Sequence, residues 1–312
     1  MSFWTNQSNH IAEYLALRLV GGAVRALPYR SALGVGWGIA AIGFFVVRWR
    51  RAEAERRISE VFGDRYSRSE VRSIAWHSLR DFMFSAVETL RLPGITRAWV
   101  EAHTDYADVE KIREFAAGKG AILVIPHMGS WELAGVAAQK FDLPMFFIVG
   151  HQKNPLTDAY INQMRGTTGI ERIPRDSSAL RGAVKRLKEG KILAFMTDLR
   201  SKTPGVKVQF LGKEANVVAG MGMFARMTGL PIIPAVVTRR GSDRHSWAVH
   251  DPISPDTSLD RDDDILRMTQ HVMNIFDAAV RADPGQYFWY NKRWILDPLA
   301  PEANASGLPS SN

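Results

Sequence analysis

A histidine follows the apolar run "AILVIP" and a glutamate stands five positions beyond it, in "HMGSWE": His127 and Glu132. A carboxylate hydrogen-bonded to one imidazole nitrogen fixes the tautomer and raises the basicity of the other nitrogen, which makes a general base for a hydroxyl. On a continuous helix, residues five apart point about 140° away from one another, so the two groups meet only if His127 lies outside the helix. Gly129 lets the chain bend, and Ser130 suits the N-cap of a helix carrying Glu132 in its first turn. The expectation is a strand, a turn holding His127, and a helix from which Glu132 reaches back to the imidazole. Spacing alone equally allows a capping glutamate beside an incidental histidine, because His-x4-Glu is a short pattern.

The elements that would position this pair are legible from residue 93 onward. Short apolar runs, "AILVI", "MFFIV", "ILAFM" and "IIPAVV", alternate with helix-period segments around residues 130–140, 154–167, 179–188, 219–227 and 262–282. Runs of that length interleaved with helices imply an α/β fold, a largely parallel central sheet flanked by helices. In such sheets ligand groups gather where strands end and helices begin, which is where His127 falls. Residues 67–90 carry apolar positions at helical spacing, so residues 58–93 read as a helical lead-in to an α/β domain at 58–299.

The remainder of the chain suggests a lipid surface. Its 312 residues contain no cysteine, which excludes a disulfide framework, a thiolate metal site and a cysteine nucleophile. The formal charge of +8 suits an anionic partner. Residues 1–10 lack the basic start of a secretory signal. Residues 32–47, "ALGVGWGIAAIGFFVV", would form a helix about 24 Å long, short for a bilayer core of about 30 Å. Arg48, Arg50, Arg51, Arg56 and Arg57 follow it, the flank of a segment dipped into or just spanning a membrane; a buried core helix is the alternative. Residues 14–27 read as a helix along the interface, so residues 1–57 form an N-terminal helical membrane-associating segment. The polar tail at 300–312 is expected to be disordered. "GWGIAA" at Gly36 imitates a dinucleotide fingerprint but has no preceding strand, and close helix packing explains its glycines better. His77, His103, His151, His245, His250 and His271 lack zinc-like spacing, and no Gly-x-Ser-x-Gly occurs, so neither a metal site nor a serine hydrolase is expected.

Five blocks, in order and spacing, go further: "HMGSWE" with His127 and Glu132, "KNPLTDAYINQMRGTTGIERIPR" with Asn154 and Arg165, "MTDLRSKTPGVKVQFLG" with Asp198, "AGMGMFARMTGLPIIPAVV", and "PGQYFWYNKRW". In these the chain, from about residue 28 to 294, resembles the late acyltransferases of lipid A biosynthesis (lauroyl and myristoyl transferases) and the related phosphatidylinositol mannoside acyltransferases. Both belong to the wider lysophospholipid acyltransferase superfamily. Departures are Leu199 and Arg200 after Asp198, where the family often has a second carboxylate or a Gln-Asp pair, and Asn291 and Lys292 in place of the usual His and Arg.

The resemblance implies an O-acyltransferase at the cytoplasmic face of the bacterial inner membrane. Its donor would be acyl carrier protein or acyl-coenzyme A, and its acceptor a membrane glycolipid or lysolipid. It implies no cofactor besides the thioester co-substrate and no nucleic-acid partner. His127 and Glu132 would be catalytic, with Asn154 and Asp198 carried over as substrate-binding positions. Arg165, Arg200, Arg239 and Arg293 are candidates for holding acceptor phosphates, since guanidinium forks suit them, and Arg165 or backbone amides after His127 for holding the oxyanion. Rival readings are a lipid thioesterase or lysolipase using the same dyad, and a catalytically dead membrane scaffold.

Overall fold

The computed structural model describes residues 2–150, 153–175 and 178–298; the tail at 300–312 and His151 lie outside the described residues. The four apolar runs become β2 (Ala121–Ile125), β3 (Met145–Val149), β5 (Ile192–Met196) and β8 (Ile232–Arg240). With β1 (Thr104–Asp105), β4 (Glu171–Pro174) and β9 (Arg244–Val249) they form a seven-stranded sheet in the order β1-β9-β8-β2-β5-β3-β4. Every pairing is parallel except β8 with β9. A separate antiparallel hairpin joins β6 (Val206–Phe210) to β7 (Lys213–Val217).

All five residues of β2 are buried because helices cover both faces of the sheet. Its alternate side chains serve two cores. Ile122 and Val124 join the apolar stripes of α9 (Ala179–Lys188), α10 (Gly220–Thr228) and α11 (Arg261–Ala282). Ala121, Leu123 and Ile125 join those of α5 (Arg97–His103), α6 (Val109–Ala116) and α7 (Trp131–Lys140). A further helix, α8 (Pro155–Gly166), links β3 to β4.

The amino-terminal helices are α1 (Ser2–Ala26), α2 (Tyr29–Ala41), α3 (Arg51–Phe62) and α4 (Arg68–Arg91). A Ser67–Glu70 capping box starts α4. Helix α2 lies on α4 so closely that a Cβ on Gly36 would sit 2.9 Å from Val87 Cγ2, which bears out close packing as the use of that glycine. Helix α2 continues through a π turn at Ile42–Val46, and residues 29–46 are together long and apolar enough to cross a membrane. Most of that run is not buried. Val35, Ile39, Ile42 and Val46 repeat along one exposed face, and Ile11, Leu15 and Leu19 do the same on α1, with Leu19 77 % and Val46 74 % accessible.

The arginine flank is not the free cationic patch that the sequence suggests. Arg50, Arg51 and Arg56 pair with Glu53, Glu55 and Glu60. Arg57 is buried, pairs with Glu53, and donates to the carbonyls of Trp289 (2.7 Å) and Asn291 (2.9 Å). Its guanidinium anchors the closing "PGQYFWYNKRW" block to the core. Arg48 alone of the five has no carboxylate partner among the described residues.

Candidate active site

The "HMGS" turn follows β2 and is held from three sides. Gly129 has φ +60° and lies against β8, where a Cβ would stand 2.4 Å from the Val237 carbonyl; no other residue fits without displacing backbone. The closing block pairs with the turn through an isolated antiparallel bridge. Phe288 N donates to His127 O (3.0 Å), Gly129 N donates to Gln286 O (3.3 Å), and Met128 bridges Tyr287. Gln286 then ties that block to β8, accepting from Arg239 N and donating to Arg239 O.

The third side is α4. Ser78, Asp81, Ser85 and Glu88 recur at helical spacing and are all buried, a polar stripe on an otherwise apolar face. Ser78 Oγ donates to Tyr287 O (2.5 Å), Ser85 Oγ to Gly129 O (3.1 Å), and Glu88 accepts from Ser130 Oγ (2.5 Å). Glu88 also takes both terminal nitrogens of Arg239 (2.7 and 2.9 Å) and the Tyr29 hydroxyl (2.5 Å). His245 Nε2 stands 3.2 Å from it, close enough for an ionic contact but off the hydrogen-bond direction. Burial alone would raise the Glu88 pKa; Arg239 and His245 outweigh it and hold the carboxyl well below its ordinary range. Arg239 is therefore corrected from a phosphate-binding candidate to one half of a buried ion pair, its fork already filled. Ser130 sits at the N-cap of α7 as expected, but its hydroxyl is spent on Glu88 and caps nothing.

The partner of His127 is Asp198. The imidazole Nδ1 is 2.7 Å from Asp198 Oδ1, and the His127 amide donates to Asp198 Oδ2, also at 2.7 Å. The carboxylate is sealed off, with 1 % of its side chain accessible against 14 % for the imidazole. Asp198 lies two residues beyond β5, the strand paired with β2, so parallel register puts both residues at the same end of adjacent strands. The Tyr287 hydroxyl reaches Asp198 from the closing block, and burial together with that carboxylate pushes the phenol well above its ordinary range, leaving it a neutral donor. The expected His127–Glu132 contact is thus replaced. Glu132 does start α7, but its carboxylate takes Arg165 Nε (3.2 Å) and Nη2, tying α7 to α8. Glu132 turns to this cation, and the imidazole is satisfied from β5.

The family model for the bacterial lipid A biosynthesis acyltransferases matches residues 6–295. The chain belongs to that family. It is 25 % identical to the lipid A biosynthesis lauroyltransferase of Escherichia coli over 295 residues, 91 % of this chain and 89 % of that one. It is also 25 % identical over 222 residues to the phosphatidylinositol mannoside acyltransferase of Mycolicibacterium smegmatis, 70 % of this chain and 71 % of that protein. The chain is accordingly an acyltransferase, and the turn that carries His127 lies inside the matched span.

Other residues expected at the acyltransferase site divide in two. Asn154 is buried and caps α8, its Oδ1 accepting from the Leu156 and Thr157 amides, while its Nδ2 donates to His10 O (3.0 Å) and Glu13 (2.9 Å). It fastens α1 to α8, with no donor left for substrate. Arg165 places Nε and Nη2 on Glu132 and so ties α7 to α8. Arg200 and Arg293 lie together past the end of β5. Sequence reasoning missed Tyr287, Ser78, Ser85 and Glu88. The signal for the last three was there, in polar residues three and four apart on the buried stripe of α4.

Proposed function

We propose that this chain moves a fatty acyl group from a thioester, carried by acyl carrier protein or coenzyme A, to a hydroxyl of a membrane glycolipid or lysolipid. The observation that carries the proposal is an imidazole at the C-terminal end of β2 with Nδ1 held by a buried carboxylate and Nε2 without a hydrogen-bond partner among the described residues. With its proton on Nδ1, the ring presents a lone pair at Nε2. That nitrogen takes the proton of the acceptor hydroxyl as the oxygen attacks the thioester carbonyl. Asp198 stabilises the resulting imidazolium. When the tetrahedral species collapses, the carbon–sulfur bond breaks and the thiolate recovers the proton, leaving an ester on the lipid. The oxyanion falls to the first amides of α7, which no side chain caps and which carry the positive end of the helix dipole. The thioester is already activated, so this chemistry asks for no further cofactor.

Supplying the full-length chain with an acyl thioester, with and without a glycolipid acceptor, tests the reading by mass spectrometry of the lipid. The expected result is thiol release that depends on the acceptor, with one acyl mass gained by the lipid. Acceptor-independent release yielding free fatty acid would replace transfer with hydrolysis.

The working place we propose is the cytoplasmic face of the inner membrane, with α1 and the α2–π segment lying in the interface. The support is the row of exposed apolar side chains on each element, Leu15 and Leu19 on α1 and Ile39, Ile42 and Val46 on the α2–π segment. A Leu19→Glu/Val46→Glu double variant is expected to bind anionic vesicles at least about tenfold more weakly in co-sedimentation, since each side chain contributes about 1.5–3 kcal/mol on burial. Unchanged binding would move the membrane contact elsewhere.

A further inference from the structure

Three arginines converge beyond the carboxyl ends of β3, β4 and β5, on the edge of the sheet that carries His127. Arg175 directly follows β4, its amide donating to the Val149 carbonyl at the end of β3 (2.9 Å). Arg200 stands two residues past Asp198. Arg293 comes from the closing block and is tied to Arg200 in both directions: the Arg200 amide approaches Arg293 O at 3.4 Å, and the Arg293 guanidinium donates to Arg200 O. Partial burial first, then the nearby charges of Arg175 and Arg200, hold the Arg293 guanidinium below its ordinary range.

Nothing described on the chain neutralises this cluster. Arg165, Arg239 and Arg57 each have a carboxylate, whereas among the described residues none of Arg175, Arg200 and Arg293 has one. Arg200 Nη1 donates to the Pro298 carbonyl, a neutral acceptor, and its Nε is buried with no hydrogen-bond partner. Like charges gathered at this spacing repel, and a buried guanidinium nitrogen without an acceptor costs free energy. Both costs vanish if an anion with several acceptor oxygens sits among them.

We infer that Arg175, Arg200 and Arg293 form a phosphate-binding site that holds one of the two substrates of the proposed acyl transfer, on which reading this inference rests. Guanidinium forks match phosphate oxygens bidentately, and three of them suit a doubly charged monoester. The strands concerned, β5, β3 and β4, lie one to three strand spacings from β2, about 5–15 Å from His127. That separation fits a phosphate carried on the same molecule as the reacting group. Two sources have this chemistry: the phosphate ester of the donor's carrier arm and a phosphate on the acceptor lipid.

Calorimetric titration of the full chain separates them. The probes are 4′-phosphopantetheine beside pantetheine, which differs only in lacking the phosphate, and dihexanoyl phosphatidate beside dihexanoylglycerol. One phosphate-bearing probe is expected to bind about tenfold or more weakly to Arg175→Ala and to Arg293→Ala, while its phosphate-free counterpart is unaffected. Arg175→Lys should recover part of the loss. The probe that responds names the source. Arg175 is exposed and its side chain has no hydrogen bond or ion pair among the described residues, so its variants keep the fold even if those of Arg293 do not. Parent-like binding of both phosphate probes by Arg175→Ala, or no binding of either by the parent chain, overturns the site. Phosphate binding lost in the variants of a chain that transfers no acyl group would sustain the site and sink the transfer reading. Unchanged phosphate binding beside normal transfer would do the reverse.

Discussion

Asp198→Asn should lower acyl transfer by about a hundredfold or more, approaching His127→Ala, for which the loss of a positioned general base predicts roughly 10²–10⁴-fold. Asp198 uses one oxygen for Nδ1 of the ring and the other for the His127 amide. An amide side chain has only one oxygen. If that oxygen faces the backbone N–H, its NH2 faces Nδ1 and forces the ring proton onto Nε2, which abolishes the base. If it faces Nδ1, the NH2 opposes the backbone N–H and the turn shifts. The loss should fall on kcat with KM nearly unchanged, because the substrate touches neither oxygen. Glu132→Gln frees one bond to Arg165 and should cost less. Steady-state rates of the three variants, each shown folded by circular dichroism, decide the matter. A Glu132→Gln loss equal to that of Asp198→Asn would restore Glu132 as the partner of the working imidazole.

Glu88→Ala should destabilise the protein by about 3–5 kcal/mol, the cost of leaving a buried charge without its partner. Arg239 would lose both of its carboxylate bonds in a site where neither side chain is measurably exposed, and Ser130 and Tyr29 would each lose an acceptor. Urea denaturation reads this directly, and Arg239→Ala should fall in the same range. A Glu88→Leu/Arg239→Met double variant should return much of the stability, because two well-packed apolar side chains often replace a buried ion pair at little cost. The pH dependence has a definite sign. Glu88 titrates well below its unfolded value, so its contribution is complete above the ordinary carboxylate range and disappears only as pH falls through the depressed value. A loss under about 1 kcal/mol for Glu88→Ala would mean that the network carries little of the fold.

The same network explains why a buried glutamate stands in the last turn of α4. Its carboxylate takes the Ser130 hydroxyl away from the start of α7, and Ser85 on the next turn of the helix holds the Gly129 carbonyl. Two groups three residues apart on one helix thereby hold two successive residues of the catalytic turn. The arrangement leaves the first amides of α7 without a side-chain cap, as the proposed oxyanion contact requires, while fixing the turn that carries His127.

Several features followed from local pattern alone. The four central strands begin where their apolar runs do, and β2, β3 and β5 also end with them, whereas β8 continues through Arg240 to pair with β9. His127 at the end of β2 followed from the same boundary, and the need for Gly129 from the bend that had to come next. Partner choice did not follow. Glu132 is five residues from His127 in the chain and Asp198 is seventy-one, yet parallel pairing of β2 with β5 brings the distant carboxylate to the ring and α8 brings Arg165 to the near one. The arginines divided on the same ground. Arg239 and Arg57 met buried acceptors, while Arg175, Arg200 and Arg293 met one another. Which charge neutralises which depends on separation in space at a few ångströms, and in a parallel sheet that separation is set by strand order and register, which no short window of residues contains.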